Sequence, residues 1–114
     1  MPYLIVKDAP AFMKFMGKVF GATEKFKMMR DEKLIAHAEM VVGESVIMLA
    51  DATDEFKPRT GGMFIYVENA DETYAKALAE GATSIMPPSD QEYGRTCGIT
   101  DAFGNIWWPT TGKG

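Results

Sequence analysis

An internal repeat restricts the possible folds of this chain more than any other feature of its sequence. Gly21-Ala22-Thr23 recurs as Gly81-Ala82-Thr83, 60 residues later. Each triplet follows a short β-like run, an acidic residue and a helical stretch, and each precedes further β-like runs. Identity outside the triplets is low, so the shared order of elements is the stronger evidence. It indicates a tandem duplication of one module.

The first helix is predicted over residues 9–20 from the spacing of its apolar side chains. Four of them recur at i, i+3, i+4 and i+7 on one helical face, namely Phe12, Phe15, Met16 and Val19. Asp8 is a suitable N-cap, Pro10 is compatible with a first turn, and Gly21 supplies a left-handed stop.

The second helix is predicted over residues 70–80. Asn69 is a suitable N-cap with Glu72 as its capping-box partner, and Gly81 follows the last turn. The apolar stripe is shorter in this helix and consists of Tyr74, Ala77 and Leu78.

Turn residues divide the remaining segments into strands. In the first half the predicted strands are residues 3–7, 24–30, 34–42 and 45–50, and in the second half 63–67, 84–87, 95–100 and 105–109, with a loop at 88–93. Each half is therefore a β-α-β-β-β module. The predicted organisation is one α+β domain with module one at residues 1–50, a linker at 51–62 and module two at 63–114. The linker is expected to be solvated because of its charges, at Asp51, Asp54, Glu55 and Lys57.

The strand predicted over residues 34–42 indicates which side of a sheet meets the helix. One face is apolar throughout and suits packing under a helix; it consists of Leu34, Ala36, Ala38, Met40 and Val42. The other face carries Ile35, His37, Glu39 and Val41. His37 and Glu39 are therefore expected to point into a cleft.

Composition narrows the classes of protein that fit. The 114 residues carry a net charge of −4 without a basic cluster, which argues against a nucleic-acid binder. The single cysteine, Cys97, excludes an intramolecular disulfide and a cysteine-built zinc site. No apolar run approaches the length of a membrane span, and the N-terminal residues do not resemble a signal peptide. A cytoplasmic protein is therefore expected.

Several motifs fit one known family. They are Phe20-Gly21-Ala22, His37-Ala38-Glu39, the run from Gly43 to Asp51, and Asp101-Ala102-Phe103-Gly104-Asn105-Ile106-Trp107-Trp108. Together with the two modules, they resemble the glyoxalase/bleomycin-resistance/extradiol-dioxygenase (vicinal oxygen chelate) superfamily, in its PhnB-like branch, over nearly the whole chain. The resemblance implies curved mixed sheets around a cup-shaped cavity, and a homodimer with or without domain swapping.

The resemblance also implies where a metal would bind. Enzymes of this superfamily hold a divalent metal with His, Gln and Glu side chains from the first and last strands of each module. The corresponding positions here are Met1 or Pro2, Met48, Gly62 and Trp108. Pro and Gly offer no ligand atom, the indole N–H only donates, and a thioether is soft. We therefore expect no metal and no other cofactor at these positions.

Two features could carry catalytic chemistry. His37 and Glu39 lie two residues apart on one strand face, so both could act as acid and base on one ligand; alternatively they form a hydrogen-bonded pair that satisfies polar groups in a cavity wall. Cys97 follows His37 by 60 residues, so the repeat would relate the two positions. A Cys/His nucleophilic pair is conceivable, and a small buried cysteine is the alternative.

Other side chains are candidates for ligand binding. Trp107 and Trp108 point to opposite faces of the last strand, and the repeat predicts that Trp108 faces the cavity while Trp107 packs under the helix. Aromatic residues on the inward face would stack on flat ligands or simply fill the core. Arg95 could grip a carboxylate or phosphate, or be solvated. The complete set of predicted ligand-binding residues is Trp108, Tyr66, Phe64, His37, Glu39, Met48 and Arg95.

Three functions are consistent with these features. The first is metal-independent binding of a planar or aromatic small molecule in a dimer cavity, similar to the antibiotic-sequestering members of the family. The second is a lyase or isomerase of glyoxalase type in which His37 and Glu39 transfer protons, with metal absent or at a non-standard site. The third is a dimeric domain whose filled cup serves protein association. No nucleic-acid or membrane partner is expected.

Overall fold

A computed structural model of the protein describes residues 2–112. The chain folds into two compact units, residues 1–61 and 62–114. The elements in chain order are β1 (Tyr3–Val6), α1 (Ala9–Phe20), β2 (Thr23–Met29), β3 (Ile35–Val42), β4 (Ser45–Asp51), β5 (Gly62–Tyr66), α2 (Ala70–Ala79), β6 (Thr83–Gln91), β7 (Gly94–Thr100) and β8 (Ile106–Gly112). Each unit is therefore a β-α-β-β-β module, which confirms the predicted α+β class.

Both units have the same sheet topology. The strand orders are β1-β4-β3-β2 and β5-β8-β7-β6. In each sheet the first and last strands of the unit pair in parallel, and the other neighbours are antiparallel. The helix of each unit contacts its own sheet, so each sheet has one face under a helix and one face that the helix leaves open. No helix within residues 2–112 is both long and apolar enough to cross a lipid bilayer.

The first helix forms as its sequence predicts. The Asp8 carboxylate accepts a hydrogen bond from the Ala11 N–H at 3.1 Å, and Gly21 ends the helix with a φ of 68°. The predicted apolar stripe is buried throughout, at Phe12, Phe15, Met16 and Val19. Burial of this stripe contributes to the hydrophobic stabilisation of the first unit.

The second helix buries only part of the predicted stripe: Ala77 is buried as expected. Asn69 caps it, accepting from the Glu72 N–H at 3.1 Å, as predicted. The buried side chains are Ala70, Thr73 and Ala77, whereas Leu78 is 39% exposed. The buried side chains of this helix are small, so the prediction, which favoured the larger Tyr74 and Leu78, missed Ala70 and Thr73.

Asp51 is a structural residue, which corrects its expected place among the solvated charges of a linker. It belongs to β4 and is only 3% exposed. Its carboxylate accepts hydrogen bonds from the backbone N–H groups of Ala9 and Ile35, each at 2.7 Å. These bonds join the start of α1 to the start of β3. In the second unit, Thr111 has the corresponding role and accepts from the Ala70 N–H at 2.8 Å.

Strand β6 is longer than predicted and includes the segment expected to be a loop. It runs through Pro87 and Pro88, and the register of its pairing with β7 is irregular between Met86 and Ser89. Proline lacks an N–H donor and is tolerated at a sheet edge or a bulge. Because β6 is an edge strand, the two prolines interrupt the pairing without ending the strand.

The strand registers show which positions of the two units are equivalent. Met48 lies opposite Tyr3 in the first unit, and Trp108 lies opposite Phe64 in the second. Thr96 pairs with Thr110 and Ile99 with Trp107, so Gly98 lies opposite Trp108, as Glu39 lies opposite Met48. The repeat is thus structural, but its offset is 61 residues in the first strands, 59 in the third and 60 in the fourth.

Candidate functional site

The open face of the first sheet carries a hydrogen-bonded acid–base pair. His37 Nε2 lies 3.0 Å from Glu39 Oε2, and the two side chains are 23% and 25% exposed. They alternate along β3 with Ala38 and Met40, which are buried on the side of the helix. Ile35 was expected beside His37 on the open face, but it is buried at 1% exposure. The register of the β2–β3 pairing shifts at this end of β3, so strict alternation fails there.

Two aromatic rings flank the imidazole of His37. The ring centroids of Tyr3 and Phe26 lie 5.7 and 6.0 Å from that of His37. Met48, half-buried on β4, pairs with both Tyr3 and Glu39. The hydrogen bond to the Glu39 carboxylate orients the imidazole on this partly exposed face, an arrangement that is compatible with acid–base chemistry on a bound ligand.

The open face of the second sheet is aromatic. A cavity of about 300 Å³ is lined by Phe64, Tyr93, Thr96 and Trp108. The Phe64 ring lies 5.9 Å from that of Tyr93 at an interplanar angle of 55°. It also lies 5.5 Å from the Tyr66 ring in an edge-to-face contact at 78°. Phe64 and Tyr66, predicted on the cavity face, are 50% and 71% exposed.

The two neighbouring tryptophans have different environments, as the repeat predicts. Trp107 is fully buried, and its neighbours on the adjacent strands, Met63 and Ile99, are buried too. The Trp107 indole N–H donates to the buried Asp101 carboxylate at 2.7 Å. Trp108 lies on the opposite face of β8 and lines the cavity.

Glycine at position 98 makes room for Trp108. A Cβ atom placed on Gly98 would lie 2.4 Å from Cζ3 of the Trp108 ring, which is far inside van der Waals contact. The equivalent position in the first unit holds Glu39. Where the first unit has an acidic side chain, the second unit therefore has a glycine, and the Trp108 indole ring occupies the space beside it.

The structure corrects the predicted relation between His37 and Cys97. The registers pair Thr96, not Cys97, with the position of His37. Cys97 is fully buried, and its thiol points to the carbonyl oxygens of Ala70 and Pro109, both at 3.8 Å. Burial, followed by the negative charge of Asp71, raises the pKa of the Cys97 thiol to about 11. The thiolate needed for nucleophilic attack is therefore disfavoured.

Arg95 is held by carboxylates of its own unit. Its Nε and Nη2 donate to Asp71 at 2.6 and 3.0 Å, and its Nη1 donates to Asp90 at 3.1 Å. The bond from Arg95 lowers the pKa of Asp71, and these two carboxylates raise the pKa of Arg95. The guanidinium lines a second, more polar cavity of about 450 Å³ rather than the aromatic one.

The four positions that the sequence resemblance implies for metal ligands do not fit a hard divalent cation. Met48 and Trp108 lie on the open faces and present a thioether and an indole ring. Gly62 and Pro2 supply no side-chain ligand atom, and Met1 lies outside the described residues. Among residues 2–112, no three His, Cys, Asp or Glu side chains lie together in a group that could hold a metal ion.

Sequence reasoning missed three residues of these faces. Tyr93 lies in the turn between β6 and β7, within the predicted loop, and its place in the wall of the aromatic cavity was not predicted. Tyr3 and Phe26 flank His37 but were not singled out, because their strands carry no motif. The alternation of Phe26 with Lys25 and Lys27 was the available signal for that strand.

Comparison with known proteins agrees with this architecture. The model of the Glyoxalase/Bleomycin resistance protein/Dioxygenase superfamily matches residues 2–108, so the chain belongs to that superfamily. The uncharacterized protein Mb0911c of Mycobacterium bovis is 29% identical over 118 residues, which cover 93% of this chain and 78% of the relative.

Solved structures share the fold at low sequence identity. TioX from Micromonospora sp. ML1 is 19% identical with a TM-score of 0.79, covering 97% of this chain and 95% of TioX. The PhnB protein from Bacillus cereus is 17% identical with a TM-score of 0.75 and 97% coverage of both chains. The superfamily resemblance seen in the sequence is confirmed by the family model, and these structures confirm the fold.

Proposed function

We propose that the protein binds a planar or aromatic small molecule on the aromatic face of its second unit, without a metal ion. The observation that carries this proposal is the cavity of about 300 Å³ whose wall consists of Phe64, Tyr93 and Trp108 with Thr96. Concave sites of this size with aromatic walls are the usual form of small-molecule sites. Membership of a family named in part for bleomycin resistance supports a role in antibiotic sequestration.

Exposure of the rings supports the same proposal. Phe64 and Tyr93 are 50% and 52% exposed, so they retain apolar surface that a ligand can cover. Covering apolar surface contributes roughly 25 cal/mol per Å², and stacked aromatic pairs add about 0.5–1.5 kcal/mol. Trp108, which occupies one of the implied metal positions, adds aromatic surface to this cavity and no cation ligand.

Tryptophan fluorescence tests the proposal directly. Titration with bleomycin and a panel of planar aromatic antibiotics is expected to quench the emission of the wild-type protein. Trp108→Phe retains only the buried Trp107 as a reporter, so most of the ligand-dependent quenching should disappear. Trp108→Leu removes a stacking surface and should weaken binding about 3- to 10-fold, measured by calorimetry. Quenching that persists in Trp108→Phe would show that the ligand lies elsewhere.

A homodimer is part of the proposal. Large apolar side chains on the open faces remain exposed in the single chain, including Tyr3, Phe26, Phe64 and Tyr66. Such a surface favours association, and a stable interface should bury about 1,200 Å² or more. Light scattering at micromolar concentration is expected to give twice the chain mass of 12.6 kDa. A mass equal to that of one chain would contradict the dimer.

An enzymatic function of lyase or isomerase type is the second candidate. The observation that favours it is the His37–Glu39 pair at 3.0 Å on a partly exposed face. In this case His37→Gln, which keeps a hydrogen-bonding side chain but removes the titrating imidazole, should abolish turnover of a glyoxalase-type substrate. If the protein only binds its ligand, the same variant should leave the quenching of Trp108 intact.

A further inference from the structure

The aromatic cavity of the second unit also indicates which chemical group it accepts. We propose that it binds an alkylammonium cation, such as a trimethylammonium or protonated amine group. This inference rests on the ligand site of the proposed function and specifies the ligand further. The described residues that carry it are Phe64, Tyr93 and Trp108, with Thr96 at the wall.

The rings are arranged as a corner rather than as a flat stack. The Phe64 and Tyr93 rings meet at 55° with centroids 5.9 Å apart, and Trp108 also lines the cavity. A compact group with methyls on several sides can contact rings in several planes at once, whereas a flat ligand can stack on only one of them. Aromatic walls of this kind bind quaternary ammonium groups through cation–π attraction.

The polar group in the wall is already engaged. The Thr96 hydroxyl lies 2.8 Å from the Thr110 hydroxyl and 3.3 Å from the Pro109 carbonyl oxygen, and Thr96 is only 1% exposed. The rest of the wall consists of aromatic rings. The described wall residues include no cationic side chain to hold an anion, whereas an ammonium group with methyl substituents does not depend on hydrogen bonds.

The charge of the second unit favours a cation. Residues 62–114 contain seven Asp and Glu against three Lys and Arg, so this half carries the entire net charge of −4. Its two described cations are paired, Lys76 with Glu72 at 3.0 Å and Arg95 with Asp71. Glu92 directly precedes Tyr93, and Asp90 of the same segment is paired with Arg95 at 3.1 Å. The field of this unit therefore attracts positive ligands.

Two isosteric probes separate charge from shape. Choline and 3,3-dimethylbutan-1-ol have the same branched shape, but nitrogen in the first is a cation and the corresponding carbon in the second is neutral. We expect choline to bind about tenfold or more tighter, measured by ligand-observed NMR, with upfield shifts of its methyl protons from the ring currents. Added salt should weaken choline binding and leave the neutral probe unaffected.

Matched variants locate the site. Phe64→Leu and Trp108→Leu each remove one ring and should each weaken choline binding by about 3-fold or more. Trp108→Phe keeps a ring in place and should retain most of the binding. It therefore shows whether weaker binding by Trp108→Leu comes from loss of the aromatic ring rather than from loss of tryptophan at this position. Phe56→Leu is the control, because Phe56 is 47% exposed, nearly as much as Phe64, but lies in the first unit.

The outcomes distinguish this inference from the proposed function. Preference for choline that depends on Phe64 and Trp108 supports it. Equal affinity for the two probes, or no binding of choline while neutral aromatic compounds quench Trp108, overturns the ammonium inference and leaves the proposed function standing. If choline binds but none of the planar aromatic compounds does, only the planar-ligand proposal is overturned. Choline binding unaffected by both leucine variants places the cation elsewhere and overturns the inference.

Discussion

Trp107→Ala is expected to destabilise the protein by about 3–5 kcal/mol, as large aromatic truncations in cores do. Trp107 is fully buried, so the substitution leaves a cavity in the core, on the face of the sheet that the helix covers. It also removes the indole N–H from the buried Asp101 carboxylate, which additionally accepts from the backbone N–H groups of Phe103 and Asn105. The measurement is the free energy of unfolding from urea denaturation.

The neighbouring tryptophan is the matched control for this experiment. Trp108→Ala should cost less, about 1–2 kcal/mol, because the Trp108 ring lines an open cavity and is only partly removed from water. The cost of Trp107→Phe should lie between those of Trp107→Ala and Trp108→Ala, because phenylalanine keeps part of the ring volume but loses the hydrogen bond to Asp101. Equal costs for Trp107→Ala and Trp108→Ala would contradict the opposite facing of the two side chains.

Asp51→Ala is expected to have the next largest effect, about 2–4 kcal/mol, because it leaves two buried N–H donors without an acceptor. Those donors are the backbone N–H groups of Ala9 and Ile35. Loss of both bonds should separate the start of α1 from the start of β3. The expected signature is faster hydrogen exchange at both amides, together with a lower urea midpoint.

A nearby aspartate provides the comparison. Asp54 is exposed and lies three residues further along the chain, so Asp54→Ala should change the free energy of unfolding by no more than about 0.5 kcal/mol. Asp51→Asn retains one carbonyl acceptor for the two donors and should be intermediate. If Asp51→Ala were as harmless as Asp54→Ala, the two buried bonds would not contribute to stability.

The sequence predicted those parts of the fold that depend on local period. The stripe of α1 and the opposite facing of Trp107 and Trp108 follow from the 3.6- and 2-residue periods of helices and strands. Both caps, Asp8 and Asn69, were also predicted, because a cap depends on a side chain and a backbone only a few residues apart.

Features that depend on distant contacts were not predictable in the same way. The role of Asp51 is set by its partners Ala9 and Ile35, which are 42 and 16 residues away. The comparison of His37 with Cys97 failed because the repeat offset changes by one residue between strands, and a shift of one residue exchanges the faces of a strand. A constant offset of 60 hides such changes.

The candidate site also combines features set by local period with features set by distant contacts. Trp108 could be placed on the correct face from alternation alone, whereas the contribution of Tyr93 depends on how far β6 and the following turn extend. The proline pair in β6 argued for a loop, and only the edge position of that strand makes it compatible with pairing. Gly98 belongs to no sequence motif, and its importance follows only from how closely the Trp108 ring packs on it in the structure.

The strand edges constrain how copies of this chain can associate. Along β1, Ile5 and Arg59 exchange two backbone hydrogen bonds of 2.8 Å, so that edge is already engaged at this point. The edge strand β6 contains two prolines, and the edge strand β2 presents the charged side chains of Lys25 and Lys27. These features oppose the uninterrupted backbone pairing by which exposed strands polymerise. At these three of the four sheet edges, subunit contacts should therefore be made by side chains rather than by continuation of a sheet, and fibril growth from the native state should be suppressed there.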